Sequence, residues 1–518
     1  MMDLNEVFSI PISLVATTTL AAVVILAIVV LIHGRKRSSY HPVGGSISQQ
    51  KKNMHRIQDF RIDAARKHKT YRFPGFLGST SQVLTVDPVN VEYMLKTNFA
   101  NYGKRWSNDI ILIDLLGEGI FNVDGEKWHH QRKLTSYEFS NKTLRDFSNV
   151  VSKTNAIKLA QILADQAAAS NRSIDIQDLF EKATLDSTFK VIVGVELDVM
   201  CGTFEEGIRF SDSLDAARSL IAHRPVDVFW KIKRYLNIGS EALLRKFIKE
   251  VDEFVYKTLK SKIEEQVQNS SSHGDHGIQM KKSEDVLSRF LEAKQTNTKY
   301  LRDMIINLVM AGKDTTSAAL SFFFYMMCKH PDIQEKIAKE VIEATQVNQN
   351  SSFDELAANV NENTLDKMQY LHAALTETLR LYPPVPADGK VCFSDDTMPD
   401  GFKVDKGDLV IYLPYAMGRM EFLWGNDAQE FRPERWLGES GRFHPESPFK
   451  FTTFQAGPRI CLGKEFAYRQ MKIFCMILLA SYVFKLSDEN EEVKYDSSLT
   501  LTFDGGLHLI ATPRMIHV

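Results

Sequence analysis

Cysteine is scarce in this sequence of 518 residues, and its five cysteines are widely separated along the chain. They are Cys201, Cys328, Cys392, Cys461 and Cys475. None belongs to a Cys-x-x-Cys pair, which argues against a disulfide framework and against a zinc-finger or iron–sulfur site. This usage is typical of a protein in a reducing compartment.

Charge of one sign is not in excess either. The 63 Lys and Arg residues nearly balance the 65 Asp and Glu residues, for a net charge of −2, which argues against a general nucleic-acid binder. Only 16 prolines and 27 glycines are present, too few for a collagenous or low-complexity chain. With 44% hydrophobic residues, the chain is expected to fold around a sizeable core.

One long stretch, Val7 to Ile32, has no charged residue. As a helix it is long enough to cross the ~30 Å hydrocarbon layer of a membrane. The basic residues that follow, Arg35 to Arg37, predict by the positive-inside rule that the rest of the chain lies on the cytosolic side. No other stretch is long and apolar enough to span a bilayer.

Helical patterns dominate the remainder, so the predicted fold is mainly α with small β-sheets. The predicted divisions are a membrane anchor at 1–34, a basic linker with the start of the soluble body at 35–70, and one domain at 71–518. The clearest helix is Thr298 to Lys329, which is apolar almost all round and is ended by Pro331.

Further elements are predicted from capping, periodicity and turn residues. They are a strand at Val83–Val86, an N-cap at Asp87 before Pro88, helices at Glu126–Glu138, Leu365–Leu381 and Gly463–Tyr482, a strand at Leu409–Leu413, a flexible loop at Gln268–Lys282 and a turn at Asp504–Gly506.

Cys461 has the most informative surroundings of the five cysteines. It lies in the string FQAGPRICLG, Phe454 to Gly463, directly before a predicted helix. A helix N-terminus and nearby backbone N–H groups stabilise a thiolate, the form of cysteine that binds metals. The other four cysteines are predicted to be small buried hydrophobic residues.

Polar residues also interrupt the long apolar helix, in the string AGKDTT, Ala311 to Thr316. The Thr315 hydroxyl is predicted to donate to the carbonyl of Ala311, and Gly312 removes side-chain bulk where a flat ligand approaches. The alternative is a solvent-exposed polar notch.

Together these segments resemble the cytochrome P450 family. FQAGPRICLG matches the family's cysteine loop, FxxGxRxCxG, at every fixed position. Glu377-x-x-Arg380, Trp128-x-x-x-Arg132 and AGKDTT match three further motifs in the same order. The resemblance implies the P450 fold and a haem b cofactor whose iron is bound by the thiolate of Cys461. Thiolate ligation favours O–O bond cleavage.

The resemblance also implies roles for the other motif residues. Arg459, Trp128 and Arg132 would contact the haem propionates, Phe454 would pack beside the sulfur of Cys461, and Gly457 would belong to the same cofactor-binding loop. Asp314 and Thr315 would relay protons during oxygen activation. Glu377, Arg380 and Arg435 would form a buried structural network, beside which Trp436 replaces the more usual phenylalanine. His129 and His130 point in different directions on a helix, so they are predicted to be solvated.

Electrons must come from another protein, because no flavin or nicotinamide fingerprint is present. The resemblance implies NADPH–cytochrome P450 reductase, so NADPH and flavins would act only through that partner. The anchor is similar to that of the microsomal branch, which implies the endoplasmic reticulum membrane with the domain facing the cytosol. Basic residues expected at the docking face are Lys127, Arg132, Lys133, Lys142, Arg145, Arg469 and Lys472.

A finer resemblance is to the plant fatty-acid ω-hydroxylases, through stretches such as GEGIFNVDGEKWHHQRK and KMQYLHAALTETLRLYPPVP. It implies O₂-dependent hydroxylation of long-chain fatty acids at the terminal carbon, for lipid polymers. In animal ω-hydroxylases a glutamate that can esterify haem occupies the position of Ala311, so no such attachment is expected. Candidate substrate residues are Ile110, Leu112, Leu115, Phe121, Leu308, Ala311, Val385 and Leu501.

Alternatives remain open at this level. Within the enzyme class they are in-chain hydroxylation or epoxidation of fatty acids, or oxidation of another lipid such as an alkane or a sterol. Outside it, a haem-thiolate protein could serve in electron transfer or sensing. Electron carriers need no proton relay, so Asp314 and Thr315 favour a monooxygenase.

Overall fold

The computed structural model describes residues 24, 43–74, 81–104, 111–168, 173–225, 227, 229–271, 284–347, 351–489, 494–497 and 499–514. Apart from Val24, the predicted anchor at Val7–Ile32 lies outside these residues and stays a prediction. Across the described ranges, no helix combines the length and the apolar character needed to cross a membrane.

Helices make up most of the described chain, as the sequence predicts. Their bounds are α1 Ile47–Lys52, α2 Ile57–Lys67, α3 Pro88–Glu92, α4 Ile113–Leu116, α5 Gly125–Phe139, α6 Lys142–Ala168, α7 Ile176–Val193, α8 Glu205–Ala222, α9 Trp230–Leu236, α10 Ser240–Ser271, α11 Val286–Glu292, α12 Thr298–Lys329, α13 Pro331–Thr345, α14 Phe353–Asn359, α15 Glu362–Lys367, α16 Gln369–Leu381, α17 Pro414–Met417, α18 Glu421–Trp424 and α19 Lys464–Ser481.

The strands are short and form small sheets. Their bounds are β1 Thr70–Phe73, β2 Gln82–Thr85, β3 Tyr102–Gly103, β4 Ile174–Asp175, β5 Asp388–Cys392, β6 Asp396–Thr397, β7 Lys403–Val404, β8 Leu409–Tyr412, β9 Tyr482–Leu486, β10 Tyr495–Ser497, β11 Leu501–Phe503 and β12 His508–Pro513. The largest sheet has the order β1-β2-β8-β5-β3, in which only the β2–β8 pair is parallel. The others are β4-β12-β9, β10-β11 and β6-β7.

The long central helix has the bounds predicted from sequence, Thr298–Lys329. Its N-terminus is capped by Asn297, whose side chain accepts the N–H of Tyr300. At its other end Pro331 begins α13, since proline has no N–H to continue the helical ladder. The N-cap at Asp87 before Pro88 is likewise confirmed, because its carboxylate accepts the N–H of Val89.

The apolar interior forms two main clusters that α12 connects. Residues in the first half of α12, such as Ile305, pack with α7, α8 and α10. Residues in its second half, such as Phe322, pack with the largest sheet, α16 and α19. The segment Ala311–Thr316 belongs to neither cluster, so the polar string lies where the apolar packing is interrupted.

One predicted helix is divided in the structure. The pattern at Leu365–Leu381 predicts a continuous helix, whereas α15 ends at Lys367 and α16 begins at Gln369. The carboxylate of Glu340, on α13, accepts the N–H groups of Tyr370 and Leu371 at 2.8 and 2.9 Å. A distant residue therefore supplies the cap of α16, which the local pattern does not show.

Other boundaries differ by small amounts. The strands predicted at Val83–Val86 and Leu409–Leu413 correspond to β2 and β8, whose bounds differ from the predictions by at most one residue. The helices predicted over α5 and α19 also agree within one residue at each end. The turn at Asp504–Gly506 is confirmed between β11 and β12. The predicted loop at Gln268–Lys282 is wrong at its start, because α10 continues to Ser271, and its remainder lies outside the described residues.

Gly418 offers a test of this packing. A Cβ at this position would overlap the backbone carbonyl of Arg380. We expect Gly418→Ala to lower the free energy of unfolding by about 2 kcal/mol or more, measured by chemical denaturation. The matched control is Gly438→Ala, whose nearest neighbour would be the Arg442 carbonyl at 3.8 Å. Equal stability of the two variants would contradict this packing.

Candidate functional site

The cysteine loop places Cys461 at the start of α19. A 3₁₀ turn at Gly457–Arg459 precedes it, and the N–H of Cys461 donates to the carbonyl of Phe454 at 2.8 Å. Gly457 has a φ of +66°, and a Cβ there would overlap the carbonyl of Leu95. Because an L side chain would be strained and obstructed at this point, the loop requires glycine.

The side chain of Cys461 is accessible, yet burial raises the pKa of its thiol. The N–H of Gly463 and the cations of Arg132 and Lys464 oppose this shift, since each favours the thiolate. Cys461 is therefore positioned to bind a ligand through its sulfur.

Two arginines lie beside the cysteine loop. Arg132 donates to the carbonyl of Ile460 at 2.5 Å. Arg459 pairs with Asp124 at 2.5 Å, and its guanidinium lies 4.4 Å from the ring of the buried Trp128. The Nε of Arg459 is buried without a hydrogen-bond acceptor, so this cation has an unused donor.

Two lysines near Arg459 were not identified from the sequence. Lys390 is fully buried on β5 and lies 3.5 Å from Asp388, which also pairs with Lys104. Burial by itself would raise the pKa of Asp388, but the two lysines outweigh it and hold that pKa well below its usual range. No strand is predicted from the sequence at Asp388–Cys392, so no local signal marks Lys390 as buried.

These residues fit a haem. Cys461 would hold the iron, and the cations of Arg132, Arg459 and Lys390 would attract its carboxylates. Trp128 and Arg459 also border a cleft of about 810 Å³. The unpaired Nε of Arg459 and the two lysines that share Asp388 leave positive charge available for an anionic group.

The network of Glu377, Arg380 and Arg435 forms as predicted. Glu377 and Arg380 make two hydrogen bonds of 2.7 Å, and Arg435 Nε lies 3.3 Å from the same carboxylate. The side chains of Glu377 and Arg380 are both fully buried. Thr453, just before the cysteine loop, donates to the carbonyl of Leu379 at 3.0 Å, which connects α16 to the loop.

Trp436 belongs to this network as well. Its indole Nε1 donates to Glu377 Oε2 at 2.8 Å, within the buried interior. The sequence indicates only an exchange of one aromatic residue for another. The structure shows that the tryptophan supplies a donor that phenylalanine lacks.

In the AGKDTT segment, the predicted hydrogen bond from Thr315 Oγ1 to the Ala311 carbonyl is present at 2.6 Å. The alternative prediction, a solvent-exposed polar notch, is wrong, because the side chains of Lys313 and Asp314 are only 1% and 9% exposed. The Asp314 carboxylate lies near Lys313 and Arg218, whereas the Thr315 hydroxyl turns to the helix backbone. Their role as a proton relay stays a prediction.

A further acid near this segment, Glu181 on α7, was not identified from the sequence. Burial raises the pKa of Glu181 to about 7, against the opposing effect of the Lys313 cation. Nothing in the local sequence marks this glutamate, because its environment depends on how α7 packs against α12.

The candidate substrate residues differ in burial. Leu112, Leu308, Ala311 and Val385 are half-buried, Phe121 is exposed, and Leu115 and Leu501 are fully buried in the two apolar clusters. Ile110 lies outside the described residues. Their contact with substrate stays a prediction.

Some predictions concern residues around the site. His129 and His130 are exposed, as predicted, and no group of metal-binding side chains is found over the described ranges.

The other four cysteines differ in burial. Cys392 and Cys475 are buried and Cys328 is half-buried, but Cys201 is exposed, so its prediction as a buried residue is wrong. Cys201 follows α7 in a turn, where no element covers it.

The basic residues predicted for the docking face also differ in exposure. Lys133, Lys142 and Arg145 are exposed. Lys472 is half-buried and donates to the carbonyl of Leu365 at 2.9 Å, and burial lowers the pKa of its ammonium to about 8. Lys472 therefore contributes to internal packing.

Replacing Trp436 tests the buried network. Trp436→Phe keeps an aromatic ring but leaves Glu377 without one donor, so we expect a loss of about 1–3 kcal/mol in the free energy of unfolding. Trp230→Phe, at a half-buried surface position, is the control. An unchanged stability of Trp436→Phe would show that this hydrogen bond contributes nothing.

The raised pKa of Glu181 predicts that the stability of the folded protein depends on pH. Since its pKa is raised from 4.5 to about 7 in the folded protein, the folded state binds the proton more tightly than the unfolded state. The free energy of unfolding should fall between about pH 4.5 and 7, by roughly 2 kcal/mol from this group. Glu181→Gln should remove that part of the decrease in denaturation curves at pH 5 and pH 8. Parallel pH dependence of both proteins would contradict the assignment.

Comparison with known proteins agrees with this geometry. The family model for cytochrome P450 matches residues 37–509. The chain is 47% identical over 500 residues to cytochrome P450 704C1 of Pinus taeda, covering 93% of this chain and 94% of that protein. It is 42% identical over 499 residues to cytochrome P450 704B1 of Arabidopsis thaliana, covering 91% and 94%. It is 36% identical over 442 residues to cytochrome P450 94A1 of Vicia sativa, covering 83% and 82%.

The family match therefore spans the central helix, the buried Glu377 network and the loop that carries Cys461. Proteins of this family bind haem through a cysteine thiolate, receive electrons from a reductase, and use O₂ to oxidise hydrophobic substrates. The chain belongs to the cytochrome P450 family of haem-thiolate monooxygenases.

Proposed function

We propose that this protein hydroxylates long-chain fatty acids at the terminal carbon, to supply precursors of lipid polymers. The observation that supports this proposal is the apolar character of candidate substrate residues on α12 and in the segment that follows residue 110. Leu112, Leu308 and Ala311 are half-buried, so packing within the protein leaves part of each side chain accessible. The resemblance to plant fatty-acid ω-hydroxylases points to the same substrate class.

The haem, when bound, supplies the O₂ activation that breaks a C–H bond. The side chains of this chain determine which bond is presented. Subterminal C–H bonds are weaker than those of a methyl group, so terminal oxidation requires a narrow apolar channel that admits only the end of the chain. Leu308 and Val385 are half-buried candidates for the walls of that channel.

The small side chain of Ala311 lies one turn before Thr315 on α12. It offers no carboxyl group for an ester bond to haem, which agrees with non-covalent binding of the cofactor. In the proposed reaction Asp314 and Thr315 hold and transfer the protons that oxygen activation consumes. Release of Asp314 from its cationic neighbours is then a requirement, because the two side chains do not contact each other here.

NADPH–cytochrome P450 reductase is the proposed electron donor, and the endoplasmic reticulum membrane the proposed location. The exposed cations Lys133, Lys142 and Arg145 support a docking face near α5 and the start of α6, since basic groups attract an acidic partner. The charge-free stretch at Val7–Ile32 supports an anchor that holds the domain on the cytosolic side.

Product analysis tests the proposed function. Microsomes that contain this protein, a reductase and NADPH should convert a panel of long-chain fatty acids to products oxidised at the terminal carbon, identified by mass spectrometry. Cys461→Ala should form no product and lack the carbon-monoxide spectrum of a haem-thiolate protein.

Other products would overturn parts of the proposal. Subterminal alcohols or epoxides would exclude the narrow-channel argument while leaving fatty acids as substrates. A normal haem-thiolate spectrum without any fatty-acid product would exclude fatty acids, and a panel of alkanes and sterols would then identify the lipid. Absence of O₂ consumption with every lipid would favour an electron-transfer or sensing role.

A further inference from the structure

Arg61, on α2, is a cation that has no counter-ion in the described part of the chain. Its Nε is buried without a hydrogen-bond acceptor, and no described carboxylate forms an ion pair with its side chain. Burial lowers the pKa of Arg61, although an arginine keeps its charge in a protein. Because a buried charge is unfavourable unless it is paired, Arg61 is expected to attract an anion from outside the chain.

The neighbouring acids of α2 have other partners. Asp63, two positions after Arg61, pairs with Arg56 at 3.0 Å. Asp59, two positions before it, accepts the hydroxyl of Tyr495 at 2.6 Å. Residues two apart on a helix point in different directions, which explains why neither carboxylate pairs with Arg61.

Arg72 of β1 provides a contrast in the same region. Its side chain is only 6% exposed, and it lies 2.7 Å from Asp408 and donates to the carbonyl of Lys403 at 2.8 Å. Arg61 is half-buried, so part of the residue stays accessible. The fold therefore pairs the enclosed arginine and leaves Arg61 within reach of a ligand.

The surroundings of Arg61 come from β1 and β10. Tyr71 of β1 and Tyr495 of β10 are the titratable groups that act on its charge. The Tyr71 hydroxyl donates to the carbonyl of Arg61 at 3.1 Å, which fixes this turn of α2 on β1. The ring of Tyr495 lies 6.1 Å from that of Tyr415. The cation thus lies where α2 meets two strands, beside aromatic side chains that suit an amphipathic ligand.

A hairpin connects this region with candidate substrate residues. Strand β10 pairs with β11, which carries Leu501. The N–H of Leu501 donates to the carbonyl of Pro384 at 2.9 Å, beside Val385. On the same strand, the ring of Phe503 lies 4.3 Å from that of Phe322 on α12. The β10–β11 hairpin therefore reaches from α2 to the central helix.

We propose that Arg61 binds the carboxylate of a fatty acid, while the hydrocarbon chain extends along the β10–β11 hairpin toward Leu501 and Val385. This inference rests on the proposed function and names the residue that holds the polar end of its substrate. A planar guanidinium donates two parallel hydrogen bonds to a carboxylate, and bonds between charged groups are stronger than those to a neutral ester. Arg61 is a substrate-binding residue that selects acids over neutral lipids.

Binding to the holoenzyme tests this site without turnover. Equilibrium dialysis of radiolabelled hexadecanoic acid and of its methyl ester, without NADPH, gives the two dissociation constants. The wild type should bind the acid about tenfold more tightly than the ester or better. Arg61→Gln should weaken acid binding by about tenfold or more and leave ester binding unchanged, because it removes only the charged donor.

Two further variants complete this measurement. Arg61→Lys keeps a positive charge and should recover part of the lost acid binding. The matched control is Arg66→Gln, at an exposed arginine of the same helix, which should bind both compounds as the wild type does. Unchanged acid binding in Arg61→Gln, or an equal loss for acid and ester, would overturn the proposal.

Thermal unfolding distinguishes a binding role from a structural one. Without ligand, Arg61→Gln should unfold at the same temperature as the wild type or higher, because it removes an unpaired charge. Arg72→Gln leaves the buried Asp408 unpaired and should unfold at a lower temperature. Hexadecanoic acid should raise the Tm of the wild type more than that of Arg61→Gln. A lower Tm of Arg61→Gln without ligand would show that Arg61 supports the fold and would overturn the proposal.

The outcomes also separate this inference from the proposed function. Terminal oxidation of fatty acids by a wild type that binds acid and ester equally would overturn the Arg61 site and leave the proposed function. Loss of the acid preference in Arg61→Gln, with products oxidised within the chain, would support the site and refute terminal hydroxylation. A wild type that binds neither compound would refute both.

Discussion

The buried carboxylate of Glu377 is the constraint on which the arrangement of the site depends. A charged group without access to water must be fully paired, and Glu377 achieves this with Arg380, Arg435 and Trp436. Arg380 also donates to the carbonyls of residues 418, 428 and 430, so the chain on both sides of α18 is held at the same point. The position of the cysteine loop depends on this network as well, because the Thr453 hydroxyl donates a hydrogen bond to a backbone carbonyl near the end of α16.

Polar groups around the proposed cofactor space follow the same principle of paired burial. On the cysteine side, Asp388 and Asp124 balance part of the positive charge of Lys104, Lys390 and Arg459. The remaining positive charge suits a ligand that brings carboxylates of its own. On the helix side, Lys313 forms an ion pair with Asp215 and lies 3.3 Å from Asp314, so these charges are paired within the protein.

The position of the polar segment in α12 has a physical reason as well. The apolar residues before and after Ala311–Thr316 belong to different clusters, so the helix is anchored on both sides of a short gap. The predicted approach of a flat ligand at Gly312 is wrong, because a Cβ there would come within 2.7 Å of the Thr188 side chain, so this glycine allows close packing of α12 on α7. Asp314 is buried and Thr315 is half-buried, and hydrogen bonds and ion pairs are stronger in the interior of a protein than in water.

The sequence by itself determined the features that depend on neighbouring residues: the bounds of α12, the cap at Asp87, the hydrogen bond of Thr315, and the motif residues from Trp128 to Cys461 that identify the family. Tertiary structure decided what depends on distant partners. Lys313 pairs with a residue 98 positions away, Glu340 divides a predicted helix, and the burial of Lys390 follows from its place in the central part of a sheet. Periodicity and capping report local conformation, whereas the pairing of buried charges depends on how helices and strands pack against one another.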